Sequence, residues 1–271
     1  DGDIQTTENN LDNLEVHFID VGQGDSILVK KGKESMLIDA GDNGKGEIVV
    51  DYLNGQNITS LKYVIATHPH ADHIGGMADV VKNFDVERII MPNATNNTKT
   101  FENLLVTIAD KGLKTREAKS GDRYDLNGAH IAILAPNSET YQDLNNYSVV
   151  VKVTNGNNSY LFTGDAEVLS EKEIIEEYNY LISSDVLKLG HHGSTTSTSQ
   201  EFLTIVNPMY GVITVGEGNR YGHPHREIME LLEENNIRVY RTDLHGTIIS
   251  ISDGENIRFK RYKGRARCNR D

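Results

Sequence analysis

Between residues 68 and 73 the chain reads His68-Pro69-His70-Ala71-Asp72-His73, four metal-ligating side chains in six consecutive positions. Imidazole nitrogens and carboxylate oxygens at this density suit divalent cations, and the spacing suits two of them. In extended backbone, residues two apart point the same way, so His68 and His70 can grasp one ion. A turn after them redirects Asp72 and His73 toward a second. Two cations held this way perform hydrolysis, because they lower the pKa of an attacking water and offset the charge that builds on a phosphoryl group.

Further candidates recur where apolar runs end, which is where loops expose side chains to substrate. Asp39 follows the run 36–38 and is placed to orient a neighbouring histidine by accepting from its ring. Asp165 follows the run 160–163 and has two oxygens with which to bridge two cations. The pair His191-His192 ends the run 186–189. Adjacent side chains diverge in extended backbone, so one of the pair ligates while the other faces elsewhere, and strand phase favours His191. His223 and His225, in Tyr221-Gly-His-Pro-His225, open a helix and are candidates to protonate a leaving oxygen or to contact an anion. His245 carries a weaker signal, and His17 and His130, set inside apolar runs, read as core histidines.

The elements that must position these groups alternate in type. Strands are expected at 14–19, 26–29, 36–38 and 61–66, with a helix at 47–53 among them and another at 74–82, whose start Gly75-Gly76 lets pack closely. Strands follow at 88–91, 130–134, 149–153, 160–163, 186–189, 211–215 and 247–251, and helices at 100–111, 169–178, 200–206 and 226–235. Segments 93–98 and 155–158 read as loops or hairpin turns. The class is α/β, with two similar β-rich halves as one way to arrange it.

Composition narrows the rest. With 271 residues, 37% hydrophobic, the chain can bury a sizeable core as one large domain or two fused halves. No stretch approaches the roughly 20 apolar residues of a membrane span. Cys268 is the single cysteine, so there is no disulfide framework and the metal ligands must be nitrogen and oxygen. A net charge of −13 disfavours non-specific attraction to nucleic acid. Arg258, Lys260, Arg261, Lys263, Arg265, Arg267 and Arg270 make the end basic, and 260–271 reads as a solvated tail. The polar stretch 1–14 reads as a flexible leader behind a removed signal or anchor, which implies an extracellular or cell-surface location in a bacterium.

Taken together, Asp39, Thr67-His-Pro-His-Ala-Asp-His73, Thr163-Gly-Asp165 and Gly190-His-His192 resemble, in order, the metal motifs of the metallo-β-lactamase fold superfamily. More narrowly, His17-Phe-Ile-Asp20-Val-Gly-Gln23-Gly-Asp25-Ser26, Leu189-Gly-His-His-Gly-Ser194 and Tyr221-Gly-His-Pro-His225 resemble the hydrolase domain of ComEC-like competence proteins, over residues 15–259. The resemblance implies a four-layer αββα sandwich with two divalent metal ions, zinc or manganese, at one edge of its sheets. It assigns His68, His70 and Asp165 to a first ion, and Asp72, His73, Asp165 and His191 or His192 to a second. Asp72 is also a candidate proton relay.

One departure matters. Many superfamily members bring a third histidine to the first ion from the segment that here reads Asp143-Leu-Asn-Asn146-Tyr-Ser148, so Asn146 is expected where that imidazole would stand. Oxygen ligation there suits manganese better than zinc. The substrate implied is a phosphodiester, with single-stranded or duplex DNA as the candidate partner. A cell-surface phosphoesterase such as a phosphocholine esterase, and a metal-stabilised binding domain without turnover, are the alternatives. A β-lactam is not the expected substrate, and the oligomeric state is not legible.

Overall fold

The computed structural model describes residues 13–262; the calls made on 1–12 and 263–271 lie outside the described residues. Strands β1 (Leu14–Phe18), β2 (Ile27–Lys31), β3 (Glu34–Ile38), β4 (Ser60–Ile65), β5 (Asp85–Met91) and β6 (Thr115–Glu117) enter one sheet. Strands β7 (Arg123–Leu126), β8 (Ala129–Ala135), β9 (Val150–Asn155), β10 (Asn158–Phe162), β11 (Val186–Lys188), β12 (Tyr210–Ile213) and β13 (Arg238–Arg241) make the second. The chain then returns to the first sheet with β14 (Ile248–Ser252) and β15 (Ile257–Arg261). Both sheets are mixed. Strands β3 to β6 run parallel in the first and β10 to β13 in the second.

The central strands are apolar on both sides because both faces of each sheet are buried there. In β2, Ile27 and Val29 point into the layer between the sheets, where they meet Phe18, Met36, Val151, Tyr160 and Phe162. Leu28, between them in sequence, points the other way with Leu37 and Val64. That outer face is covered by helices α1 (Gly46–Gly55), α2 (Ala71–Ile74), α3 (Met77–Asn83) and α4 (Lys99–Asp110), through Val49, Leu53, Met77, Val80 and Leu104. The outer face of the second sheet is covered by α5 (Val168–Tyr178), α6 (Gln200–Val206) and α7 (Arg226–Glu234), through Ile174, Phe202, Ile228 and Leu232. A short helix, α8 (Thr242–His245), links β13 to β14. The result is the four-layer αββα sandwich. Each fully buried aliphatic or aromatic side chain in these layers contributes about 1.5–3 kcal/mol.

Several expectations change in detail. The helix expected at 74–82 is two pieces, α2 and α3, broken at Gly75-Gly76. A Cβ on Gly75 would lie 2.2 Å from Asn43 N and one on Gly76 2.3 Å from Ala40 O, so the loop after β3 packs directly on that break. His130 is exposed: in β8 it alternates with Ile131 and Ile133, which take the inward positions. His17 is buried, with Nδ1 2.7 Å from Tyr52 Oη and Nε2 3.1 Å from Glu15 Oε2. The basic end begins inside the sheet, since Arg258, Lys260 and Arg261 belong to edge strand β15. Charged side chains there oppose pairing with another chain. Ordered strands reach from Leu14 to Arg261, slightly wider than 15–259. Among the described residues, no helix is long and apolar enough to cross a membrane.

Candidate metal centre

The parallel strands of both sheets end at one rim, and the candidate residues stand on the loops beyond them, where open α/β sheets place ligands. Asp39 follows β3 and His68 to His73 follow β4. From the second sheet, Asp165 follows β10 and His191-His192 follow β11. Asp25, in the loop before β2, approaches from the side of β1.

Asp165 is the hub. It is 1% exposed, and four imidazole Nε2 atoms face its carboxylate: His73 at 3.2 Å, His191 at 3.6 Å and His68 at 4.0 Å from Oδ2, and His192 at 3.6 Å from Oδ1. The hydrogen bonds of each Nδ1 make that convergence possible. His73 Nδ1–H donates to Asp39 Oδ2 (2.8 Å) and His192 Nδ1–H donates to Thr214 O (2.8 Å). His191 Nδ1–H donates to Thr196 Oγ1 (3.0 Å), and His68 Nδ1–H to Thr67 Oγ1 (3.1 Å). Each ring thereby presents the Nε2 lone pair that a metal ligand needs. Asp39 is itself held by the Thr67 hydroxyl (2.6 Å) and backbone N–H (2.8 Å).

One compact group is Asp72, His73, Asp165 and His192, whose ligand atoms all lie within 4.8 Å of one another. Three of its atoms, His73 Nε2, His192 Nε2 and Asp165 Oδ1, are buried without a hydrogen-bond partner. Leaving such groups unpaired costs about 1–3 kcal/mol each, so they point to a cation that satisfies all of them at once. Titration agrees. Burial opposes charge on His73 and His192, yet Asp165, Asp39 and Asp72 hold the first ring well above the usual histidine range, and Asp165 and Asp25 hold the second up to about 10. The carboxylates demand positive charge where a divalent ion would sit. The neighbouring trio Asp25, Asp39 and His73 is equally compact, but its atoms are engaged: Lys188 Nζ is 2.5 Å from Asp25 Oδ2, and His73 Nδ1 already serves Asp39.

The first-ion residues are set more loosely. His68 Nε2 lies 3.0 Å from His70 Nδ1, and His68 is pushed well below the usual range by burial and by the His73 ring. A cavity of about 370 Å³ opens above them, walled by Gln23, His70, Asp72, Asn145, His191 and His223 among others.

Three expectations need correction. It is His192, not His191, that joins the compact group; the strand-phase argument fails because the two residues are not extended. Both are left-handed, at φ 48° and 56°, in a tight turn over Gly190–Gly193. Such backbone is strained for residues with a Cβ, and strain of this kind gathers at functional sites. His191 instead lies at the cavity wall, 24% exposed in its side chain. Asn146 does not face the imidazoles: its Oδ1 accepts from Glu167 N–H (3.3 Å) and Ser170 N–H (3.2 Å), capping α5. His223 and His225 part company. His223 walls the cavity, its Nδ1 buried and its ring pushed down to about 4 by burial and by neighbouring His192 and His191. His225 turns away, accepting from Thr195 N–H at 3.0 Å as its own N–H donates to Gly193 O.

Sequence reasoning quoted Asp25 only as part of the resemblance, without a role, and missed Lys188 and Thr214. Lys188 is fully buried under the cluster, donating to Gly164 O (2.8 Å) and lying 3.9 Å from Asp165 Oδ1. Thr214 donates its hydroxyl to Asp25 Oδ1. Burial works to raise the Asp25 carboxyl, but Lys188 and His192 hold it well below the carboxylate range. A lysine inside the apolar run 186–189 was the available signal.

The family model described as the metallo-beta-lactamase superfamily matches residues 19–216. The chain is 34% identical to ComE operon protein 3 of Bacillus subtilis over 254 residues, covering 86% of this chain and 32% of that protein. It is 30% identical to competence protein ComA of Neisseria gonorrhoeae over 233 residues, covering 84% and 31%. It thus spans about a third of the length of these relatives. Among solved structures, the metallo-beta-lactamase fold protein YhfI from Bacillus subtilis superposes with a TM-score of 0.58 at 13% identity, covering 85% of this chain and 96% of that one, which shows the shared fold.

Proposed function

The chain belongs to the metallo-β-lactamase superfamily, and on that premise we propose that it is a two-metal hydrolase of phosphodiester bonds with nucleic acid as its substrate class. The observation that carries the metal chemistry is the convergence of His73 Nε2, His192 Nε2 and Asp165 Oδ1, buried and unpaired, beside Asp72. Similarity to a protein named for competence supports nucleic acid over other diesters.

In this reading Asp72, His73, Asp165 and His192 would hold one ion, and His68, His70 and Asp165 would hold the other, with His191 beside them. Bound there, zinc or manganese would act as a Lewis acid and ease deprotonation of the attacking water. The chain's own groups do the rest. Asp39 keeps His73 in the ligating tautomer, as Thr214 O does for His192. Asp72, with 27% of its side chain exposed to the cavity, is the carboxylate placed to accept a proton from water. His223, which also lines the cavity and whose low pKa keeps its ring neutral, is placed to donate a hydrogen bond to the leaving oxygen. Gln23 and Asn96, on the same cavity, supply amides for the non-reacting oxygens.

The test is hydrolysis by the purified chain, with manganese or zinc added, of single-stranded DNA, duplex DNA, a nitrophenyl phosphodiester and nitrophenyl phosphocholine. Metal-dependent DNA cleavage that Asp165→Asn abolishes is the expected result. Cleavage of the phosphocholine ester alone would replace nuclease by phosphocholine esterase, and metal binding without any turnover would reduce the site to a structural one.

A further inference from the structure

Asn145 presents a polar atom whose partner the fold does not supply. It lies in the tight turn Leu144–Tyr147, is 6% exposed, and shares the cavity wall with His70, Asp165 and His191. The orientation of its amide is set by its neighbour. Asn145 Nδ2–H donates to Glu167 Oε1 at 3.3 Å, and a carboxylate can only accept, so the Oδ1 end must point the other way. The turn is anchored as well, with Asn145 N–H donating to Asp143 Oδ1 (2.9 Å) and Asn145 O accepting from Ser148 N–H (3.0 Å). Asn145 Oδ1 is nevertheless buried with no hydrogen-bond partner.

A buried acceptor held this firmly needs a donor or a cation. The adjacent ring that could donate is committed: His191 Nδ1 pairs with Thr196 Oγ1, and its Nε2 faces Asp165 Oδ2. The ion assigned to His68, His70 and Asp165 has two nitrogens and one shared oxygen, which leaves its ligand set incomplete. Asn146, the residue the sequence suggested, is spent on α5. We propose that the side-chain oxygen of Asn145 is a ligand of this first ion. The inference rests on the two-ion reading above and adds to it the source of the missing donor. A neutral amide oxygen beside two imidazoles makes this the weaker of the two sites, and it tilts selection toward manganese over zinc.

The test counts bound manganese, by the electron paramagnetic resonance signal of the free ion, during titration of the metal-free protein, and so needs no turnover. The wild-type chain should bind two equivalents in a tight and a weak step. Asn145→Ala should weaken the weak step at least tenfold, the scale reached by losing even an outer support of a metal ligand, and leave the tight step unchanged. Asn145→Asp separates ligation from mere support of the turn. If Oδ1 meets the ion, the added charge tightens the weak step by tenfold or more; if Asn145 only props Glu167, two carboxylates are forced together and binding does not tighten. A single equivalent in the wild type, or a weak step untouched by Asn145→Ala, overturns the proposal. Two equivalents with the expected shifts but no diester cleavage would uphold the ligand and reject the phosphodiesterase reading, so the two fail separately.

Discussion

Replacing Lys188 by methionine keeps the volume of a fully buried side chain and removes the ammonium beneath the cluster. At the 2.5 Å separation from Asp25 Oδ2 and an effective dielectric constant of about 20, the lost attraction is about 7 kcal/mol. The variant no longer buries the lysine charge, and broken buried pairs cost about 3–5 kcal/mol in practice. A ceiling also applies. Asp25 can take up a proton, and doing so at pH 7 from its ordinary value of 3.8 costs about 4 kcal/mol at 1.36 kcal/mol per unit. The expected loss at pH 7 is therefore about 3–4 kcal/mol, which for a domain of this size lowers Tm by about 6–16 °C. The pH dependence has a definite sign. In the wild type the Asp25 carboxyl is held below its unfolded value, so its contribution is complete above that value and flat from pH 5 to 7. In the variant a neutral Asp25 must gain a proton on folding, so stability falls as pH rises, and the deficit at pH 5 should be smaller by up to about 3 kcal/mol. Thermal unfolding of the metal-free proteins, followed by circular dichroism at both pH values, measures this. A deficit under about 1 kcal/mol at pH 7, or one that does not shrink at pH 5, would refute the reasoning. Adding Asp25→Asn to Lys188→Met should recover most of the loss, since no buried charge is then left alone.

Asp165→Asn should release most bound metal while leaving the far-ultraviolet spectrum intact, because in the two-ion reading both ions would share that carboxylate; two full equivalents by elemental analysis would contradict it. Asn146→Ala should cost about 1 kcal/mol through lost capping of α5 and leave metal content unchanged, as unfolding and metal analysis together will show. Glu15 is held at about 2, chiefly by the hydrogen bond from His17 and further by Lys30, against the effect of burial. Its contribution is complete above about pH 4.5 and is lost as pH falls through about 2, so the stability gap between wild type and Glu15→Gln should close across that window in an acid titration.

The His68 to His73 string could be read directly because a strand ends there and the turn that follows is local. The mixed sheets were legible in outline from apolar runs, but β7 and β13 were not, since Arg123–Leu126 and Arg238–Arg241 are short and mostly polar. His192 was misjudged because period-two reasoning presumes extended backbone, and nothing in Gly190-His-His-Gly193 announces two left-handed residues in succession. That Asn145 and not Asn146 lines the cavity has a similar origin: a tight turn sends adjacent side chains in unrelated directions. Lys188 escaped because its meaning lies in Asp25, a residue far away in sequence that only the closed sandwich brings beside it.

The ends of the parallel strands place the two halves of the ligand set on different sheets, with Asp165 coming 92 residues after His73. During synthesis, the His68 to His73 segment emerges well before its counterpart exists, and by itself it offers only a partial, low-affinity grip. The full grip forms only when the second sheet docks. On the two-ion reading, metal loading would therefore wait until the sandwich closes, and the ions present at that moment would be the ones selected.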